Sequence, residues 1–164
     1  MLVTHEFGPW YDKQSRVLIL GSIPSPKSRE AGFYYAHPQN RVWRVLPALF
    51  GEQPLIGDIA AQKEFLTRHH IALWDVLESC EIEGASDASI RNPVPNDMNI
   101  ILQNAPIQAI FATGQKAGKM YKKYCQPQCS VPVTILPSTS PANCAVKLDA
   151  LCEKYAVIRK IIEQ

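Results

Sequence analysis

The sequence lacks the long apolar runs that mark membrane-spanning and exported proteins. None of its runs approaches the ~20 residues needed to span a bilayer, and the N-terminal stretch MLVTHEFGPW has neither the basic start nor the apolar core of a signal peptide. We therefore expect a cytoplasmic protein with no membrane partner. Internal repeats and low-complexity tracts are also missing from the 164 residues, and this length favours a single domain over residues 1–164.

An excess of charge of one sign is missing as well. The 17 basic and 15 acidic residues leave a formal net charge of +2. This balance neither requires nor excludes a nucleic-acid partner, because a protein that contacts DNA briefly needs only a local basic face.

Cysteines are few and odd in number, so a closed disulfide framework is not expected. Cys125 with Cys129, and Cys144 with Cys152, are one possible metal or iron–sulfur set. Their spacings of three and seven intervening residues are not usual ligand spacings. We expect reduced, partly buried thiols and no metal.

Four apolar segments predict the buried strands of a parallel sheet, and they cover residues 17–21, 71–77, 107–113 and 131–136. Helical patterns lie between them and begin near Asn40, Asp58, Asn96 or Asp97, and Gln115, and a last helix covers 145–162. Strands that alternate with helices predict an α/β fold, namely a three-layer α/β/α sandwich around a central four-stranded, mainly parallel sheet.

The unusual segments of the chain follow three of these strands: GSIPSPKSREAGFYYAHPQN, ESCEIEGASDASIRN and PSTSPAN. Ligands of open parallel sheets bind beyond the carboxyl ends of the strands. We therefore expect the three segments to form one site at one edge of the sheet.

The first segment begins with a stiff loop and continues into three consecutive aromatics. Gly21 and Ser22 allow a tight exit from the strand, and Pro24 stiffens the loop. Such a loop either presents fixed backbone groups to a ligand or is simply a rigid connection. One or two of the aromatics belong to the core, but a ring beside a polar loop also stacks on a flat heterocycle.

Two polar side chains close this segment, and each has two interpretations. Asn40 is either the N-cap of the following helix or a catalytic amide that binds water. His37 precedes a proline and is either a structural imidazole held by backbone groups or a catalytic one.

The last segment offers donors for phosphate. Ser138, Thr139 and Ser140 carry hydroxyl and backbone donors just before the last helix, and Lys147 lies beyond them. The lysines of residues 115–124 form either a basic DNA-facing surface or an ordinary solvated face.

The stretch GSIPSPKSREAGFYYAHPQNRVW resembles the first motif region of the uracil-DNA glycosylase superfamily. It is most similar to the mismatch-specific and hypoxanthine branches, in which a G-x-x-P loop leads to an aromatic and then to A-H-P-x-N-x-x-W. LWDVLESCEIEGASDASIRN and LPSTSPAN are similar to segments of the hypoxanthine branch. The three motifs follow the expected order over about residues 17–147.

This resemblance implies a monofunctional DNA glycosylase that flips a deaminated base out of DNA and hydrolyses its N-glycosidic bond in base excision repair. The implied substrate is hypoxanthine in deoxyinosine, with uracil as a lesser substrate. The implied partner is DNA that contains the damaged base. No cofactor is implied, and we expect a monomer.

The chain departs from the mismatch-specific branch at Ile23, where that branch carries a catalytic Asn in G-x-N-P. The hypoxanthine branch relies on the Asn of H-P-x-N, which is Asn40 here. The second motif begins with Leu136 and Pro137 where many relatives have His or Asn. The group that stabilises the departing base is therefore open, and the candidates are backbone groups of Ser22 or Ile23 and the amide of Asn143.

The resemblance and the residues together predict the following site. Tyr35 stacks on the base, main-chain groups of Ser22 and Ile23 read its polar edge, and Asn40 orients the attacking water. The expected substrate-binding residues are Gly21, Ser22, Ile23, Pro24, Tyr35, His37 and Asn143. The expected DNA-backbone contacts are Ser89, Arg91, Ser138, Thr139, Ser140 and Lys147. Asp75 and Asp87 are alternates for a carboxylate role.

Two other functions remain open. A nucleotide-binding module that has lost catalysis is suggested by Ile23. An esterase is suggested by Ser22, His37 and several aspartates, but the chain has no G-x-S-x-G elbow and no histidine after His70.

Overall fold

The structure is a computed structural model that describes residues 1–84 and 86–164. Ala85, which falls within the second unusual segment, lies outside the described residues. The elements run in the order β1 (Leu2–Thr4), β2 (Val17–Gly21), α1 (Pro26–Ala31), α2 (Val42–Leu49), α3 (Ile59–Arg68), β3 (Ile71–Asp75), β4 (Leu77–Glu81), β5 (Arg91–Pro95), α4 (Asn99–Leu102), β6 (Ala109–Thr113), α5 (Gln115–Met120), α6 (Gln126–Cys129), β7 (Val133–Leu136) and α7 (Leu148–Ile162). A π-helical turn, Tyr121–Cys125, joins α5 to α6.

The predicted central sheet is confirmed. Its four strands are parallel and lie in the order β3-β2-β6-β7. Every residue of β2 and β3 is buried, as expected for strands of a parallel sheet that is covered on both faces. Helix α7 packs on β2 and α2, α5 packs on β6 and β7, and α3 packs on β3, so the α/β fold class is confirmed.

The sheet register brings the carboxyl ends of β2 and β3 side by side, because Gly21 pairs with Asp75.

The third predicted strand begins two residues late, at Ala109, and the fourth at Val133. The last helix begins at Leu148 rather than at residue 145. Asp58 caps α3 as predicted, with its carboxylate accepting the Ala61 N–H at 3.0 Å.

A second, antiparallel sheet was not predicted. It has the order β1-β4-β5, and it occupies residues that the sequence pattern assigned to the end of a strand and to a loop. The predicted strand 71–77 is therefore wrong at its end: β3 stops at Asp75, and β4 starts at Leu77. The apolar run continues past this break because Val76 and Leu77 are both fully buried in the same core.

The second sheet fixes the N-terminal segment against the end of β3. Val3 pairs with Cys80, and the His5 N–H donates to the Glu78 carbonyl at 2.7 Å. Further along, Trp10 and Leu73 exchange two backbone hydrogen bonds of 2.9 Å. These contacts place His5 beside Asp75.

Across the described residues, no helix is both long and apolar enough to cross a membrane.

Candidate active site

A cavity of about 110 Å³ opens at the carboxyl ends of β2, β3 and β6. Residues from all three unusual segments line it, together with Asp75 and Thr113 at strand ends. Of the residues that the sequence analysis singled out, the structure brings these to the cavity wall: Gly21, Ser22, Ile23, Pro24, Tyr35, Asn40, Asp75, Asp87, Ser138, Thr139 and Ser140.

The remaining predicted residues lie elsewhere. His37 lines a neighbouring cavity of about 120 Å³, which shares Tyr35 and Asn40 with the first one. Asn143 lines a wider groove of about 760 Å³, which continues from the first cavity along Ser138 and Ser140. The structure does not bring Ser89, Arg91 or Lys147 to the cavity wall.

These outer residues have evident local roles. The Ser89 hydroxyl donates to the Ser86 carbonyl at 2.7 Å and accepts the Glu83 N–H at 2.9 Å, so it holds its own loop. Arg91 is exposed on β5, and Lys147 is exposed at the start of α7. The Asn143 side chain donates to the Ser138 carbonyl at 2.9 Å, so it fastens the 138–143 turn.

The floor of the cavity is built around Gly21. A Cβ atom at this position would lie 2.6 Å from Oδ1 of Asp75 and 3.4 Å from the hydroxyl of Tyr35. Glycine is therefore the residue that allows the carboxyl group and the phenol to approach the strand end from two sides.

Asp75 and His5 form a buried pair at this floor. Nε2 of His5 lies 2.9 Å from Oδ2 of Asp75, and their side chains are 3% and 5% exposed. Burial raises the pKa of Asp75 above its ordinary value, while the hydrogen bond from His5 opposes that rise. The other ring nitrogen of His5, Nδ1, is buried and has no hydrogen-bond partner among the described residues.

The three consecutive aromatics divide between core and cavity. Phe33 and Tyr34 are buried in the core, and the Tyr34 hydroxyl donates to the Gly8 carbonyl at 2.9 Å. Tyr35 lines the cavity, and its backbone adopts a left-handed conformation with φ of 55°. Such strain in a non-glycine residue persists where its surroundings fix it, and it is common at functional sites.

The Tyr35 hydroxyl lies 3.4 Å from Oγ1 of Thr113, which itself donates to the Leu20 carbonyl at 3.2 Å. Burial raises the pKa of Tyr35, and the nearby Asp75 raises it further. The phenol is therefore neutral at physiological pH and remains available as a hydrogen-bond donor.

Ser22 and Asp87 connect two walls of the cavity. The Ser22 hydroxyl donates to Oδ1 of Asp87 at 2.8 Å, across 65 positions of the sequence. Asp87 begins a short 3₁₀ turn, Asp87–Ser89. This bond ties the second unusual segment to the exit of β2.

Asn40 serves the helix and faces the cavity at the same time. Its Oδ1 accepts the Val42 N–H at 3.0 Å, close to the start of α2, although Arg41 occupies the N-cap position itself. The side-chain nitrogen has no hydrogen-bond partner among the described residues. The amide is thus oriented by the helix and keeps donor capacity, and its oxygen retains a second lone pair.

Arg41 fixes the wall that carries Ser138, Thr139 and Ser140. Its guanidinium donates to carbonyl oxygens of four residues in this wall: Thr139 at 3.4 Å, Ser140 at 3.1 Å, Asn143 at 2.9 Å, and Val146. No carboxylate among the described residues forms an ion pair with Arg41. Its positive charge is therefore not cancelled locally.

All five cysteines are free thiols. Cys80 and Cys125 are buried, and burial raises the pKa of Cys125 to about 12. Within residues 1–84 and 86–164, no group of three or more His, Cys, Asp or Glu side chains is arranged to hold a metal ion.

Sequence reasoning missed Thr113, which lines the cavity, and His5, which binds Asp75. His5 is a single histidine 70 positions from Asp75, and no spacing rule links the two. Asp75 gave a usable signal, because it is a carboxylate at the end of an otherwise apolar strand, and such a group is buried at a cost unless it has a partner.

Comparison with known proteins points to one family. The profile of the family described as the Uracil DNA glycosylase superfamily matches residues 9–163. A hypoxanthine DNA glycosylase from Methanosarcina acetivorans is 32% identical over 161 residues, which cover 96% of this chain and 99% of that protein. A hypoxanthine DNA glycosylase from Methanosarcina barkeri is 34% identical over 114 residues, which cover 69% of this chain and 72% of that protein.

The fold has a solved counterpart. A solution NMR structure from Methanosarcina acetivorans, whose description names a candidate uracil DNA glycosylase, matches with a TM-score of 0.82 and 30% identity. The match covers 98% of this chain and 99% of that one.

Proposed function

Because the chain belongs to the uracil DNA glycosylase superfamily, we propose that it is a monofunctional DNA glycosylase that excises hypoxanthine from deoxyinosine in DNA during base excision repair. Both curated relatives carry the name hypoxanthine DNA glycosylase, which supports this choice of base. We propose uracil as a lesser substrate.

One observation carries the proposal: Tyr35 and Asn40 line the same cavity, together with the backbone of residues 21–24. This cavity is small, concave and bordered by polar strand ends, as a pocket for one flipped base must be. A ring and a water-binding amide on opposite faces of the protein would have been incompatible with base excision.

Base recognition is assigned to the first loop. The target nucleotide rotates out of the helix at a cost of a few kcal/mol, which is smaller at a mispaired base. Tyr35 then stacks on the base, and main-chain groups of Ser22 and Ile23 bind its polar edge. Pro24 keeps this backbone rigid, which reduces the entropy lost on binding.

Bond cleavage is assigned to Asn40. As the bond between the sugar carbon and the base breaks, its electron pair leaves with the base and positive charge develops on the sugar. Asn40 holds a water molecule against that carbon by accepting one of its hydrogens. The water oxygen bonds to the carbon, its proton is released, and an abasic site remains. A weakly activated water suffices for a carbon of this cationic character.

DNA binding is assigned to the wall fastened by Arg41. Ser138, Thr139 and Ser140 present hydroxyl and backbone donors there, and the unpaired charge of Arg41 lies directly behind them. Lys147 extends this positive surface along the chain. Binding through phosphates makes the affinity depend steeply on salt concentration.

A panel of labelled oligonucleotides tests the proposal. Duplexes that carry inosine, uracil, xanthine or mismatched thymine are incubated with excess enzyme and scored for abasic sites. We expect the fastest release from the inosine duplex and slower release from the uracil duplex. A protein that binds the inosine duplex without forming any abasic site would instead be the catalytically inactive binding module that Ile23 suggests.

A further inference from the structure

We propose that Asp75, held by His5, donates the proton that makes hypoxanthine a good leaving group. This inference rests on the proposed function and assigns a second catalytic side chain beside Asn40. It favours purines over uracil, because the proton acceptor is N7 of the imidazole ring, a nitrogen that uracil does not have.

The geometry places the carboxyl group where the base must lie. Asp75 lines the cavity that Tyr35 and Asn40 also line, and its Oδ1 occupies the space beside Gly21 on the cavity floor, 2.6 Å from where a Cβ atom of residue 21 would lie. Oδ2 is already bound to Nε2 of His5 at 2.9 Å. One carboxyl oxygen is therefore fixed by a partner, while the other faces the loop that is assigned to the base.

The surroundings favour the protonated acid. The titratable and charged groups that face Asp75 are His5, Asp87, Tyr34 and Tyr35. Burial and Asp87 destabilise the carboxylate and raise its pKa, whereas His5 and a backbone hydrogen bond from Gly21 stabilise it. A carboxyl group with a raised pKa and an ionisable partner is the arrangement expected of a general acid.

The chemistry requires such a donor for a purine. The electron pair of the broken bond goes to N9 of the base, and a proton transferred from the Asp75 carboxyl to N7 leaves a neutral hypoxanthine instead of an anion. The attacking water loses one proton when its oxygen bonds to the sugar carbon, and that proton restores the carboxyl group. Protons and electrons balance without any further reactant.

An ionised Asp75 would act in the opposite sense, as a base that activates water. The two roles differ in the direction of the pH dependence. A proton donor loses activity as the pH rises through its pKa, whereas a general base gains activity over the same range.

Single-turnover excision by Asp75→Asn tests the inference. With an inosine duplex and excess protein, we expect the rate to fall about 10²–10⁴-fold. The wild-type rate should fall as the pH rises above the ordinary carboxyl range, and this dependence should vanish in the variant. A wild-type rate that rises with pH, or a variant with the wild-type rate and profile, would overturn the proposal.

His5→Gln provides an independent measurement on the same pair. A glutamine N–H can still donate to Oδ2 of Asp75 but cannot titrate, so we expect a retained fold in which the high-pH limb of the profile, where the rate falls as the pH rises, is displaced. If the pH profile of His5→Gln coincides with that of the wild type, His5 does not influence the proton donor. If the wild-type protein releases no hypoxanthine at all, the proposed function fails; if it does but Asp75→Asn keeps the pH profile, the inference alone fails.

Discussion

The guanidinium of Arg41 donates to the carbonyl oxygen of Asn143 at 2.9 Å, and the backbone N–H of Arg41 donates to the carbonyl of Thr139 at 3.1 Å. A residue directly after Asn40 thus holds the opposite wall of the cavity. The spacing between the amide of Asn40 and the turn of residues 138–140 is therefore set by one residue, Arg41.

Arg41→Lys should loosen that wall. Lysine keeps the charge but cannot reach several carbonyls with one planar fork. We expect the free energy of unfolding to fall by about 1–3 kcal/mol, because buried carbonyl groups lose their partners, and the excision rate should fall with it. Urea unfolding and single-turnover excision measure the two effects. Arg44→Lys is the matched control. Arg44 lies in α2, and its side chain donates a hydrogen bond to the Pro38 carbonyl at 3.3 Å. This variant should change neither the free energy of unfolding nor the excision rate.

Gly21→Ala should damage the floor of the cavity. The new methyl group would meet Oδ1 of Asp75 at 2.6 Å, and Asp75 cannot move away without breaking its bond to His5. We expect a loss of stability of about 1–3 kcal/mol and a large loss of excision, measured by thermal unfolding and by the inosine assay. Gly8→Ala, where nothing lies within 4 Å of the new atom, should behave as wild type. If Gly21→Ala is fully active, the base does not bind against this part of the cavity floor.

Asp75→Asn should stabilise the protein at neutral pH while it reduces activity. The pKa of Asp75 is raised in the folded state, so the folded protein binds more protons than the unfolded chain. Wild-type stability therefore falls as the pH rises through the folded-state pKa. The variant lacks this penalty, and its advantage in thermal unfolding should shrink as the pH falls from the raised pKa of Asp75 towards the ordinary aspartate value, and should be absent below that value. Destabilisation at neutral pH would mean that Asp75 is chiefly structural.

The contribution of Glu52 to stability should show the opposite pH dependence. Glu52 pairs with Arg68 and His69 at the C-terminal end of α3. Hydrogen bonds from Arg68 and His69 lower the pKa of Glu52 from 4.5 to about 2. Its stabilising effect is present above pH 4.5 and is lost as the pH falls towards 2. The side chain is 30% exposed, so we expect Glu52→Gln to cost at most about 1 kcal/mol at neutral pH, with no change in excision.

The central sheet could be predicted because its strands are apolar along their whole length. Residues 17–21 and 71–75 are buried on both faces, and such runs stand out against amphipathic helices. The second sheet could not be predicted in this way. In β4 and β5, polar residues, prolines and two register shifts obscure the alternation that marks a strand with one buried face.

The candidate site was predictable to the extent that it follows strand ends. The topological rule predicts that the three unusual segments meet at one edge of the sheet, and residues that follow β2, β4 and β7 do line one cavity. The position of His5 beside Asp75 could not be predicted from the sequence, because this contact depends on the pairing of β1 with β4. The substrate-binding role of Asn143 stays a prediction; the sequence could not show that its amide closes a turn, because a free amide and a turn-closing amide look alike in the sequence.

The most direct test of the account is single-turnover release of hypoxanthine by Asn40→Ala, with Asn104→Ala as the matched control. Asn104 is an exposed asparagine whose side chain donates a hydrogen bond to the Ile100 carbonyl at 2.6 Å and does not line the cavity. We predict that Asn40→Ala binds an inosine duplex but forms abasic sites about 100-fold more slowly, while the control matches wild type. An Asn40→Ala protein that excises hypoxanthine at the wild-type rate would contradict the account.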